Sequence, residues 1–260
     1  MRKKPGPIVI IRLIMAMILI MLQLTLIVVG MAIANIVTLG RYRDSLFQYA
    51  ASLFGKTGLY LTGVDLNVRY HGEKPAGPVV YLFNHSSTLD LFVISSLRLP
   101  NIRYIAKQEL GYNPFFWAMA KMSGQIMINR KDPRKALEQI NKAYRFLRKN
   151  SFSIAFAPEG TRSSTGKIGP FKMGAFHAAV DLGYPVIPLF IEGAYALCPG
   201  KSLIIQPGTV TIHFHKPVDT SGWDKKTIRK HSDEIRELYL KWNGETNRER
   251  RDGLETTRQM

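Results

Sequence analysis

Residues 13–34 run 22 positions without a charged side chain, and Gln23 is their main polar interruption. At about 1.5 Å of rise per residue this makes roughly 33 Å of helix, enough to cross a bilayer. The run ties part of the chain to a membrane and leaves the rest to form a separate core. Arg2-Lys3-Lys4 before it and Ala32-Ile33-Ala34 at its end have the form of a secretory signal. The run is longer than a usual signal core, which makes it an uncleaved anchor. Basic residues lie at both ends (Arg2, Lys3, Lys4 and Arg12; Arg41, Arg43 and Lys56), so the positive-inside rule gives no orientation. Residues 45–61 are again apolar and aromatic. They form either a second helix lying on the interface, with the first dipping into one leaflet, or a packed core helix. Residues 1–62 are thus expected to be a membrane anchor of transmembrane or monotopic helices.

After Gly63 the pattern changes to alternating short apolar runs and amphipathic stretches. Strands are expected at 66–70, 79–83, 102–106, 125–128, 153–156, 186–191 and 210–215. Helices are expected at 89–98, 114–122, 134–148, 173–182 and 226–242, with Gly183 as a helix stop. This order predicts an α/β fold: a mixed, largely parallel sheet flanked by helices, behind an N-terminal membrane-attaching helical region. With 260 residues and 46% hydrophobic content, the chain suits one sizeable domain, 63–243, followed by a flexible charged tail, 244–260.

The formal charge is +17, and the stretch 98–149 carries twelve Lys or Arg against three Asp or Glu. Such a region suits an anionic substrate, an acidic carrier protein or an anionic membrane face. Nucleic acid is set aside because no nucleic-acid motif accompanies the charge. The single cysteine, Cys198, excludes an internal disulfide, and its flanks supply no base that would make it a nucleophile.

Asn84-His85-Ser86-Ser87-Thr88-Leu89-Asp90 follows the apolar run 79–83. A histidine can take a proton near neutral pH, and a carboxylate can hold it in one tautomer. On a continuous helix, positions five apart lie about 140° off a shared face. The two side chains therefore meet only if His85 lies in a turn and the helix starts after it. Ser87 as N-cap with Asp90 at the third helical position is a capping-box pattern that permits this. Asp90 can then be a helix cap, a partner of His85, or both. No G-x-S-x-G occurs in the chain, so a catalytic pair here must activate a group that the substrate brings.

Three further segments end apolar runs: Gly124-Gln125-Ile126-Met127-Ile128-Asn129-Arg130, Phe156-Ala157-Pro158-Glu159-Gly160-Thr161-Arg162-Ser163 and Val186-Ile187-Pro188-Leu189. Loops at the carboxyl ends of parallel strands gather into the ligand crevice, and arginine offers a fork of donors that suits phosphate. In this order and spacing, NHSSTLD, GQIMINR, FAPEGTRS and VIPL resemble the four blocks of the glycerolipid acyltransferases. More narrowly they resemble the PlsC-type 1-acyl-sn-glycerol-3-phosphate acyltransferases. The resemblance runs from about Val64 to Ile191. Met127 stands where that family usually has phenylalanine, and Asn129 where it often has aspartate.

The resemblance implies a membrane-bound acyltransferase in phospholipid biosynthesis. His85 is its general base and Asp90 orients it. The hydroxyl of 1-acyl-sn-glycerol-3-phosphate attacks an acyl thioester, acyl-CoA or acyl carrier protein, and phosphatidic acid results. Lys107, Arg130, Glu159, Gly160, Thr161 and Arg162 are the implied substrate-binding residues. Arg162, with Lys107 and Arg130, holds the phosphate. Gly160 permits close backbone approach, and Glu159 either shapes the turn or pairs with a nearby arginine. No metal and no cofactor beyond the thioester co-substrate is implied. The implied partners are the lysophospholipid acceptor, the donor and membrane lipid, not nucleic acid. The expected location is a bacterial inner membrane with the catalytic domain on the cytoplasmic side. Another lyso-lipid acceptor, used by the same mechanism, is the alternative. A basic, membrane-tethered binding protein without chemistry is a third reading, and the intact His85/Asp90 pair counts against it.

Overall fold

The computed structural model describes residues 6–73, 77–112, 114–129 and 131–245. Two helices come first, α1 (Pro7–Val37) and α2 (Arg43–Thr62), joined by a tight turn. There follow β1 (Val64–Tyr70), β2 (Val80–Phe83), α3 (Leu89–Ser96) and β3 (Ile102–Lys107). After a short 3-10 turn come α4 (Pro114–Ser123), β4 (Ile126–Ile128), α5 (Pro133–Lys149) and β5 (Ser153–Phe156). The chain ends with α6 (Gly174–Leu182), β6 (Val186–Glu192), α7 (Ala194–Leu197), β7 (Gly208–Phe214) and α8 (Ile228–Trp242).

The seven strands form one sheet in the order β1-β7-β6-β2-β5-β3-β4. Every neighbouring pair is parallel except β6 and β7. A sheet covered on both faces has strands that are apolar at every position. In the run through β2, Val80 and Leu82 face a core completed by Phe176 and Tyr239, while Val79 and Tyr81 face a second core with Leu89, Val93 and Ile212. The expected α/β class, all seven strands and the five catalytic-region helices are present, with boundaries shifted by a few residues.

The N-terminal helices are not a detached anchor. On α2 the residues Ser52, Gly55, Gly58, Leu59 and Thr62 are buried. A Cβ built on Gly55 would lie 2.4 Å from the Ser96 backbone nitrogen, and one on Gly58 would lie 2.2 Å from the Phe92 ring. The helices approach this closely only because those positions lack side chains. Asp44 adds an ion pair to the buried Arg103 of β3, whose guanidinium lies 3.9 Å from the centre of the Phe152 ring. The inner face of α2 is therefore a packed helix, while Tyr49, Leu53 and Tyr60 on its outer face are exposed. Helix α1 contains a 28-residue segment, Ile10–Val37, long and apolar enough to cross a membrane. Its residues Met15, Leu22, Leu26 and Ile33 are uncovered by protein, consistent with membrane association.

At the other end, Gly244 and Glu245 belong to the folded body rather than to the tail. Glu245 is buried, and its carboxylate accepts the Ile168 N–H at 2.8 Å. The rest of the expected flexible tail lies outside the described residues.

Candidate active site

The apolar run that makes β2 ends at Phe83, and the next seven residues turn over the carboxyl edge of the sheet. Asn84 fixes this exit. Its side-chain amide donates to the Ile191 carbonyl at 2.9 Å and accepts the Ile191 N–H at 2.7 Å, which locks the turn to β6. Helix α3 starts at Leu89 with Thr88 as its flanking residue, one position later than the capping box predicts. Half of that box is present. The Asp90 carboxylate oxygen Oδ2 accepts the backbone N–H groups of Ser86 and Ser87, each at 2.9 Å. The other half is altered: the Ser87 hydroxyl oxygen accepts from the Leu89 N–H at 3.0 Å.

The same Asp90 Oδ2 accepts from His85 Nδ1 at 2.8 Å. Asp90 is 1% exposed and the His85 side chain 28% exposed. A carboxylate only accepts, so Nδ1 carries the ring proton and Nε2 carries the lone pair. Nε2 is bonded to none of the described residues. The imidazole is held on one side and open on the other. One Asp90 oxygen meets both the turn amides before α3 and the imidazole.

The β5 loop supplies the second wall. Glu159 is buried and spans two segments: Oε1 accepts the His85 N–H at 2.9 Å and Oε2 accepts the Gly169 N–H at 3.0 Å. It pairs with no arginine among the described residues; of the two alternatives, the contacts favour shaping the turn, with the carboxylate holding the His85 backbone. Burial pushes its carboxyl pKa up, and the amide of His85 pulls it back. Gly160 has φ +71°, in the left-handed region that favours glycine. What approaches it is the side chain of Lys172, not a backbone. Thr161 is exposed. Arg162 is half-buried and its Nη1 donates to the Thr88 hydroxyl at 2.7 Å. The next residue, Ser163, donates its N–H to the His85 carbonyl at 2.8 Å.

Lys107 ends β3 at the same carboxyl edge, with β5 between it and β2. Arg130 lies outside the described residues. Met127 of β4 packs beside Gly111 at a cavity of about 750 Å³ bounded also by Trp117 and Phe146.

The segment 193–206 was not read from the sequence as part of the site, yet it closes behind the turn. Ser87 Oγ donates to the Cys198 carbonyl, the Gly200 N–H donates to the Ser86 carbonyl at 2.9 Å, and Thr88 Oγ1 donates to the Ser202 carbonyl at 2.8 Å. Cys198 is fully buried, and burial pushes its thiol pKa up, as befits a packing residue. No metal-binding group of three or more His, Cys, Asp or Glu occurs among the described residues.

A family model described as acyltransferase matches residues 67–192. A 1-acyl-sn-glycerol-3-phosphate acyltransferase of Cocos nucifera is 32% identical over 161 residues, covering 62% of this chain and 52% of that protein. A chloroplastic protein of the same name from Brassica napus is 33% identical, over 71% of this chain and 54% of its own. One from Haemophilus influenzae is 30% identical, over 60% and 65%. The chain thus spans little more than half the length of the first two of these relatives. The crystal structure of the 1-acyl-sn-glycerophosphate (LPA) acyltransferase PlsC from Thermotoga maritima superposes with a TM-score of 0.68. It covers 89% of this chain and 97% of that one at 24% sequence identity, a likeness of fold.

Proposed function

We propose that the chain is an acyltransferase of the family whose model matches residues 67–192, and that it acylates 1-acyl-sn-glycerol-3-phosphate to phosphatidic acid. The observation that carries the reading is the 2.8 Å contact between His85 Nδ1 and Asp90 Oδ2, with Nε2 left open. Nε2 removes the proton from the acceptor hydroxyl as its oxygen bonds to the thioester carbonyl carbon. The resulting tetrahedral oxyanion collapses, the carbon–sulfur bond breaks, and the imidazolium returns its proton to the departing thiolate. No covalent acyl-enzyme forms. Asp90 stabilises the imidazolium while it lasts, and general-base catalysis of this kind contributes about 10²–10⁴-fold. The thioester is already activated, so neither metal nor further cofactor is needed.

Arg162 grips the acceptor phosphate, assisted by Lys107 and Arg130, because a guanidinium fork matches phosphate oxygens. The donor is acyl-CoA or acyl carrier protein. Helix α1 keeps the protein on a bilayer, where both acceptor and product reside, and we place the catalytic domain on the cytoplasmic side of a bacterial inner membrane.

The test is turnover of the purified protein in lipid vesicles, with lysophosphatidic acid and both thioester donors. His85→Ala should remove transfer while the protein stays folded and vesicle-bound. Arg162→Ala should raise the acceptor KM by about 1.5–3 kcal/mol, roughly ten- to a hundredfold. Retained turnover in the first variant, or unchanged acceptor saturation in the second, refutes the corresponding assignment.

A further inference from the structure

Thr88 lies between His85 and Asp90 in sequence, and its hydroxyl bonds to neither of their side chains. Its hydroxyl is held from two sides: Oγ1 donates to the Ser202 carbonyl at 2.8 Å and accepts from Arg162 Nη1 at 2.7 Å. A carbonyl can only accept and a guanidinium can only donate. The single hydroxyl proton is therefore committed to Ser202, and a lone pair is committed to Arg162. This is the only side-chain hydrogen bond of Arg162 to the described residues. It engages Nη1 and leaves the opposite edge of the guanidinium, Nε and Nη2, as a parallel pair of donors suited to two phosphate oxygens.

We propose that Thr88 is a positioning residue that aims Arg162, and that it thereby sets the preference of the site for a phosphate-bearing acceptor. The inference rests on the phosphate-gripping role given to Arg162 above. Thr88 sits three positions from His85 on the turn that carries the base, while Arg162 comes from the β5 loop, 74 positions away in sequence. Two other bonds register the segments independently: Ser163 N–H to the His85 carbonyl, and His85 N–H to the Glu159 carboxylate. Backbone registry fixes where the arginine stem starts, but it does not fix where a long flexible side chain ends. Thr88 supplies that last constraint. It fixes where the phosphate is gripped beside the turn that carries His85. The Ser202 carbonyl, from the segment between α7 and β7, keeps the threonine hydroxyl from rotating away.

The experiment compares Thr88→Val, Thr88→Ser and Arg162→Ala in the full chain, assayed in vesicles with lysophosphatidic acid as acceptor and one thioester donor. Valine keeps the shape and removes the hydroxyl; serine keeps the hydroxyl. Thr88→Val should raise the acceptor KM about tenfold, the scale of one hydrogen bond to a charged group, with kcat and donor KM within about twofold. Thr88→Ser should restore the acceptor KM. If Arg162→Ala weakens the acceptor but Thr88→Val does not, the positioning role is overturned and the phosphate grip stands. If neither variant shifts the acceptor KM, the grip itself fails. If Thr88→Val lowers kcat and raises both KM values together, or serine fails to rescue, the residue merely supports the turn and the proposal is overturned. Should the valine variant unfold, Thr88→Ala reads the same split between acceptor and donor.

Discussion

Replacing Asp90 by asparagine separates the two tasks that one carboxylate oxygen performs. Oδ2 receives three hydrogen bonds, from His85 Nδ1 and from the Ser86 and Ser87 amides, in a site 1% exposed. Hydrogen bonds to a charged group contribute about 1.5–3 kcal/mol against about 0.5–1.5 for neutral pairs, so each amide bond weakens by about 1 kcal/mol. The other oxygen, Oδ1, is buried without a partner among the described residues, and an amide nitrogen placed there is an unsatisfied donor costing about 1 kcal/mol more. Asp90→Asn should therefore destabilise by about 2–3 kcal/mol, read from urea unfolding in detergent. The same loss should appear in a His85→Ala background, because the two amide bonds do not involve the ring. The rate effect has a different origin: a neutral amide neither fixes the tautomer nor stabilises the imidazolium. Turnover in vesicles at a temperature where the variant stays folded should fall about a hundredfold or more. A variant that loses the expected stability yet keeps kcat within about twofold refutes the orienting role and leaves Asp90 as a cap alone.

The glycines of α2 give a second check. Gly55→Ala should destabilise by about 1–3 kcal/mol, because its Cβ meets the Ser96 backbone and the helices must part. Gly58→Ala meets only the Phe92 ring, which can turn, so its unfolding midpoint should fall less; the reverse order would count against the packing account. Asp44→Asn leaves the buried Arg103 without its carboxylate and should cost about 2 kcal/mol, below the range for a fully buried pair because Asp44 is 33% exposed. Arg103→Met in that background should recover part of the loss in the same unfolding assay. His215 is stacked against Trp242 and lies near His71 and His213, the latter bonded to Glu192. Burial, then the two neighbouring imidazoles, lowers its pKa from 6.5 to about 4. A depressed histidine pKa means stability is complete above about 6.5 and is lost as pH falls toward 4. His215→Phe should therefore soften acid unfolding across that window, and an unchanged pH profile would dismiss the ring as its source.

Much of this protein is local in origin and so legible in its sequence. Apolar runs such as 79–83 and 186–191 announce strands buried on both faces. The spacing of His85 and Asp90 limits them to a turn before a helix, and the turn forms there. The membrane-length run 13–34 is equally plain, since composition alone makes it too apolar to leave in water.

What the sequence could not carry is any fact that depends on strand order. Nothing local says that β7 runs antiparallel beside β6, that the loop after α7 closes behind Ser86, Ser87 and Thr88, or that Glu159 spends its oxygens on amides rather than on an arginine. The contacts of Glu159 and of the loop after α7 with the His85–Thr88 turn join residues 74 to 114 positions apart, and their partners are ordinary serines, carbonyls and amides without a distinctive spacing. Gly55 and Gly58 likewise read as permissive helix positions until α3 is packed against them. Periodicity and capping are set by neighbours a few residues away, so the chain determines its strands, its anchor and the turn that carries His85. Which groups hold the His85 backbone and which hydroxyl meets Arg162 were decided only when the sheet brought distant segments to one edge.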